Sequence, residues 1–253
     1  VAVFIKLPIQ GYVDTARRAE MSDEADTALR RMGRDLRLAL PNSVRVDGGA
    51  TVEFLLTRTG GRYRAAVDST GAGDMLDFAV NNDPSFDQFG PLASGIGQTI
   101  SAGDILVVYN LSIPDADAYA GENTATISGT AAGDLPNENK INFSFTLPTQ
   151  KFPLESPGSR FQVVEGPVSY VCAGGTLTRY WGYAIQATQP TAAGLPVLAG
   201  VQSALLATSV DAGAIVYDPG VTARSGLVAM SLTLSRSGES VRLYHEVHVT
   251  NVP

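Results

Sequence analysis

The sequence predicts an α+β protein: one long N-terminal α-helix packed on an elaborated antiparallel β-domain. Three observations carry this. Small and apolar residues recur at steps of three and four between Tyr12 and Leu40. Pro41 then ends the pattern, because it lacks a donor and disfavours helix in the residue before it. Beyond Pro41 the chain breaks into short alternating or β-branched runs. It carries 26 Gly and 14 Pro in all, with only 17% charged residues. The chain thus divides into a helical segment, 1–41, and a β-rich head, 42–253.

The helix stripe runs through Ala16, Ala19, Ala25, Ala28, Leu29, Met32, Leu36, Ala39 and Leu40. Ala25, Leu29, Met32 and Leu36 are the expected contacts with the sheet. The opposite face carries Arg17, Arg18, Glu20, Asp23, Glu24, Arg30, Arg31, Arg34 and Arg37. From Tyr12 to Leu40 such a helix is about 43 Å long. That exceeds what one sheet covers, so the part from Tyr12 to Glu24 is expected to project. Before it stands an apolar stub, Val1–Ile5, joined through Pro8 and Gly11, where a neck or kink is tolerated. The stub is read as the tail of a longer apolar helix whose upstream part is missing here. Its five residues are far fewer than the roughly 20 that span a bilayer.

Strands are expected over 44–57, 63–67, 75–80, 105–110, 140–147, 161–165, 168–172 and 176–185, with a turn at Thr59-Gly60-Gly61. The clearest signal is a terminal hairpin, Gly226–Arg236 and Glu239–Val249, joined by Ser237-Gly238. Segments 81–101, 114–133 and 186–200 read as loops, and 201–210 as a short helix.

Little in the chain points to catalysis, and the expectation is no enzyme and no cofactor. A net charge of −7 argues against nucleic acid, whose phosphates require clustered cations. His245 and His248 are three apart in an expected strand, so they face opposite ways and do not form a zinc-protease pair. The glycine pairs at 71/73 and 95/97 lack the strand–helix context of a nucleotide loop. Cys172 is the single cysteine and reads as a structural thiol. No metal site is expected. Asp115 and Asp117, with Glu122 and Asn123, are weak calcium candidates without the spacing of a calcium loop. Tyr180, Trp181 and Tyr183 form an aromatic run with the only tryptophan, a possible ligand patch.

The blocks 11–20, 25–32, 34–37 and 39–45 at the N-terminal end, Val168–Cys172 with Leu177–Tyr180, Tyr217-Asp218-Pro219-Gly220, and Glu239–Val241 through His245–Pro253 resemble a known family. The chain is similar to the MshO-type minor pilins of the mannose-sensitive haemagglutinin (MSHA) type IV pilus system. More distantly it is similar to the J-type minor pseudopilins of type II secretion. The resemblance spans the chain from end to end.

It implies a pilin-like fold and a prepilin that a peptidase cleaves and methylates. It implies residence in the bacterial inner membrane with a periplasmic head, then entry into a fibre at the cell surface, where minor members initiate assembly or cap the tip. Partners would be other minor and major pilins through the N-terminal helix, and the inner membrane through the missing apolar segment. Tyr12, Arg17, Arg18 and Glu20 are the expected assembly interface. Many relatives carry a second cysteine near position 213, where this chain has Gly213, so no disulfide to Cys172 is possible. A J-type pseudopilin of a secretion tip complex and a tip adhesin for a carbohydrate or surface are the alternatives.

Overall fold

The computed structural model describes residues 2–220 and 225–253, with side chains from residue 11 onward. Val1 and the side chains of the apolar stub lie outside the described residues. One N-terminal helix, α1 (Ala2–Leu36), packs on antiparallel β-sheets, so the chain is α+β. At 35 residues α1 is about 52 Å long. Pro8 and Gly11 lie within it. The helix ends before Pro41, because its exit is drawn onto a strand edge: Leu40 N–H donates to Leu55 O and Thr57 N–H to Leu38 O, each at 2.8 Å.

That strand is β2 (Thr51–Arg62), preceded by the short β1 (Arg45–Asp47). The others are β3 (Ser85–Phe89), β4 (Ile105–Val108), β5 (Thr124–Ala132), β6 (Glu138–Ser144), β7 (Arg160–Ala173), β8 (Thr176–Trp181), β9 (Gln202–Thr208), β10 (Val210–Asp218), β11 (Ser225–Arg236) and β12 (Glu239–Thr250). Nine form one sheet in the order β1-β2-β7-β4-β5-β6-β3, with β8 and β9 branching from β7; β10-β11-β12 form a second sheet. β7 is the spine. One edge pairs with β2 along its length. The other pairs with β4 over Phe161–Val164 and with β8 over Ser169–Ala173. Residues 165–168 sit at the fork between those two partners.

The helix lies where the two sheets meet. Met21, Ala25, Ala28, Leu29, Met32 and Leu36 are buried with Val228, Met230, Leu232 and Leu234 of β11, Val247 and Val249 of β12, and Phe54 and Tyr170 of β2 and β7. The helix comes close to the sheet at Gly33, where an added Cβ would stand 3.0 Å from His245 Nε2. A second core of Tyr63, Phe86, Phe143, Phe145, Phe152 and Phe161 fills the far half of the long sheet.

Several expected elements differ. Thr59-Gly60-Gly61 is not a turn but continues β2 near its C-terminal end. A Cβ on Gly60 would sit 2.7 Å from Phe161 O, and one on Gly61 2.9 Å from the Phe161 ring, so these glycines admit the partner strand. Residues 75–80 are no strand, since the Asp77 and Asp83 carboxylates accept backbone N–H groups there. The expected loops 81–101 and 114–133 contain β3 and β5, and 201–210 is β9 rather than a helix. The runs 161–165 and 168–172 are one strand, and the terminal hairpin pairs in unbroken register.

Candidate functional site: the helix and its seat

The helix has two halves with different surroundings. Between Gly11 and Glu20 none of its residues is buried, and Tyr12 is 77% exposed. From Met21 onward one face is fully enclosed. The expected contacts Ala25, Leu29, Met32 and Leu36 are all 3% exposed or less. Steps of three and four bring them onto one stripe, and the alternating inward residues of β11 and β12 receive it.

Polar groups fasten the same face. Asp35 is 7% exposed; its Oδ2 accepts from Tyr170 OH at 2.8 Å and from Arg179 Nε at 2.9 Å. Burial pushes the Tyr170 hydroxyl up, and the Asp35 charge adds to this, so the phenol stays protonated and donates. Arg31 approaches the other Asp35 oxygen at 3.6 Å. Three turns nearer the N-terminus than Asp35, Glu24 accepts from Thr208 N–H at 2.6 Å and pairs with Arg236. Burial alone would raise the Glu24 carboxyl, but the Thr208 and Arg236 hydrogen bonds outweigh it and hold it below its ordinary value.

The expected interface residues separate accordingly. Tyr12 and Glu20 face solvent. Arg17 pairs with Asp14 on its own helix at 3.0 Å. Arg18 reaches Glu239 at the β11–β12 turn. So the segment 12–24 is not wholly free of the head: Arg18 and Glu24 are both tied to it. No sequence periodicity signals an ion pair between the two ends of a chain. Glu20 and Asp23 remain the exposed helix acids with no ion pair among the described residues.

The aromatic run does not form one patch. Tyr183 is 3% exposed, and its hydroxyl lies 2.6 Å from Ser169 Oγ, which donates to the buried Glu53. Glu53 is fully buried; desolvation raises its carboxyl, opposed by Arg45 at 2.6 Å. Tyr180 and Trp181 alternate across β8, Tyr180 against Tyr183 and Leu195, Trp181 toward the helix core.

The acidic loop serves the helix exit. Asp117 Oδ1 accepts from Tyr119 N–H at 2.9 Å, and Glu122 Oε2 from Asp117 N–H at 3.2 Å. Asn110, fully buried, donates to Pro41 O at 2.7 Å and accepts from Ala118 N–H. Tyr119 OH donates to Ser43 O at 2.8 Å. Asp115 makes none of these contacts, and among the described residues no His, Cys, Asp and Glu group is placed to hold a metal ion. His245 lies beside the helix, while His248 faces solvent. Cys172 is half-buried, and burial pushes its thiol up. A Cβ on Gly213 would stand 3.0 Å from the Cys172 Cβ.

The arrangement presents a β-rich head with a helix seated against it from Met21 to Leu36, preceded by an exposed, charged segment, Gly11–Glu20, that Arg18 ties to the head. No described helix is long and apolar enough to cross a membrane. Comparison with models of protein families, with curated proteins and with solved structures finds no match.

Proposed function

We propose that the chain is a pilin-type assembly subunit, a minor pilin that initiates or caps an MSHA-like type IV pilus. The observation that supports it most is the division of α1. One half is clamped in the head by Leu29, Met32, Leu36 and Asp35, and the other has no buried residue between Gly11 and Glu20. A helix held this way transmits position from the head to whatever surrounds its exposed half. An exposed helical half with apolar and small residues finds its burial against related helices. The reading places the intact protein in the bacterial inner membrane before assembly and makes other pilins its partners. It involves neither catalysis nor a cofactor. Gene neighbourhood separates it from a J-type pseudopilin.

The test is piliation. A deletion strain is expected to lose surface fibres, counted by electron microscopy. Charge reversal at the exposed acids, Glu20→Lys with Asp23→Lys, is expected to lower fibre number while the purified variant melts like the parent. Arg18 is the wrong residue for this test, because its Glu239 partner lies within the head. Normal numbers of working pili in the deletion strain would refute the assembly role.

A further inference from the structure

The fork in the long sheet opens a cavity that the assembly reading does not use. Its volume is about 550 Å³, and its walls come from four elements: Arg31 and Asp35 of α1, Leu56 of β2, Glu165–Val168 of β7, and Arg179 and Trp181 of β8. The fork makes the space. β7 leaves β4 after Val164 and joins β8 only at Ser169. Glu165 stands unpaired at a bulge opposite β2, where Leu56 faces Gly166 and Thr57 faces Val164. Pro167 has no N–H to offer a neighbouring strand.

Arg179 is the unusual member. It is only 7% exposed, its Nε is bound to Asp35, and its guanidinium lies 4.7 Å from the centre of the Trp181 ring. Its two terminal nitrogens make no hydrogen bond to any described group. A buried, oriented guanidinium with a free edge is the geometry that recognises a planar carboxylate. Arg31 adds a second cation to the same wall. Asp35 and Glu165 also line the cavity; they oppose a dianion such as phosphate and accept hydrogen bonds from hydroxyl groups. The volume holds a ring and not just a carboxylate, being within the usual range of about 300–1,000 Å³ for small-ligand sites. We propose that this cavity binds a carboxylated monosaccharide unit, a uronic-acid type of sugar. Its carboxylate sits on Arg179 with Arg31 alongside, its ring lies near Trp181, and its hydroxyls donate to Glu165 and Asp35. The inference stands apart from the assembly role, since both Arg179 and Trp181 belong to the head.

Trp181 is the only tryptophan, so its fluorescence reports this cavity alone. Titration with glucuronate is expected to give a saturable change and titration with glucose none. Arg179→Lys keeps a cation beside Asp35 but removes the fork, and should weaken glucuronate about tenfold, the loss of one charge-assisted hydrogen bond. Arg31→Ala changes an exposed helix position that does not endanger folding, and should also weaken glucuronate. No response to glucuronate by the folded parent overturns the proposal, as does equal response to glucose, or unchanged titration in both variants. Acetate binding as tightly as glucuronate would assign the cavity to a lone carboxylate, such as an acidic side chain of a second copy, and overturns the sugar.

Discussion

Around α1 the core is largely aliphatic and joins opposite ends of the chain: Met32 and Leu36 meet Val228, Met230 and Val247. Across β3–β6 it is aromatic and drawn from the middle of the sequence. Phe86 and Phe161 have ring centres 5.1 Å apart, and Phe145 and Phe152 4.9 Å, both edge-on. The strands differ in parallel. β11 and β12 are 12 residues each in continuous register, whereas β3, β4 and β6 have five, four and seven. Short strands supply few ladder bonds, and large rings compensate with more buried area per residue. The helix seat instead relies on regular alternation plus a buried polar clamp. The aromatic half holds a shape, while the seat also sets the direction of a helix.

Truncation tests this contrast most severely. Phe86→Ala should cost about 3–5 kcal/mol in urea melts, since the ring is fully buried among three others, Tyr63, Phe143 and Phe161. Leu36→Ala should cost about 2–5 kcal/mol. A far smaller loss for Phe86 would show that the aromatic half repacks freely. Asp35→Ala examines the polar clamp. It leaves the Arg179 charge and the Tyr170 hydroxyl buried without their acceptor and should cost about 3–5 kcal/mol, with Asp35→Asn between it and the parent. An Asp35→Ala melt matching the parent would mean that water takes over the site.

A smaller effect is expected where the two halves share a strand. Gly60→Ala drives a methyl against Phe161 O and should cost about 1–3 kcal/mol by overpacking. A stabilised variant would show that β2 and β7 part easily there.

Acid sharpens the comparison further. The folded Glu24 carboxyl is depressed below its ordinary 4.5. Its contribution is therefore complete above that value and is lost as pH falls through the lower, folded value. Glu53 is raised by burial, so it favours the folded state more as pH falls and penalises it as pH rises through its folded value. Glu24→Gln should flatten the acid side of the stability profile, and Glu53→Gln should steepen it. Two superimposable profiles would contradict both assignments. Least of all should change with Arg34→Ala, on the exposed helix face, within about 0.5 kcal/mol of the parent. A loss equal to that of Leu36→Ala would place the wrong face of α1 against the sheets.

The sequence alone determined the helix, its buried face and the terminal hairpin. Each follows from a local period: Ala25, Leu29, Met32 and Leu36 by steps of three and four, and residues 226–249 by steps of two around Ser237-Gly238. The candidate site was legible only in part. That Glu20 is exposed follows from the helical period, and that Tyr12 is exposed from a helix longer than the sheets that receive it, but the Arg18–Glu239 pair and the Asp35–Arg179–Tyr170 clamp do not, because their partners lie far along the chain. The tertiary structure alone decided that Gly60 and Gly61 continue a strand, since the reason for them is Phe161. It decided that the leucine- and alanine-rich 202–208 is a strand, because β8 offers an edge that a helix cannot use. It also decided that Tyr183 turns inward to the Glu53 network while Trp181 lines an open cavity. Periodicity records which way a side chain points along its own element; it carries no record of which distant group that side chain will meet.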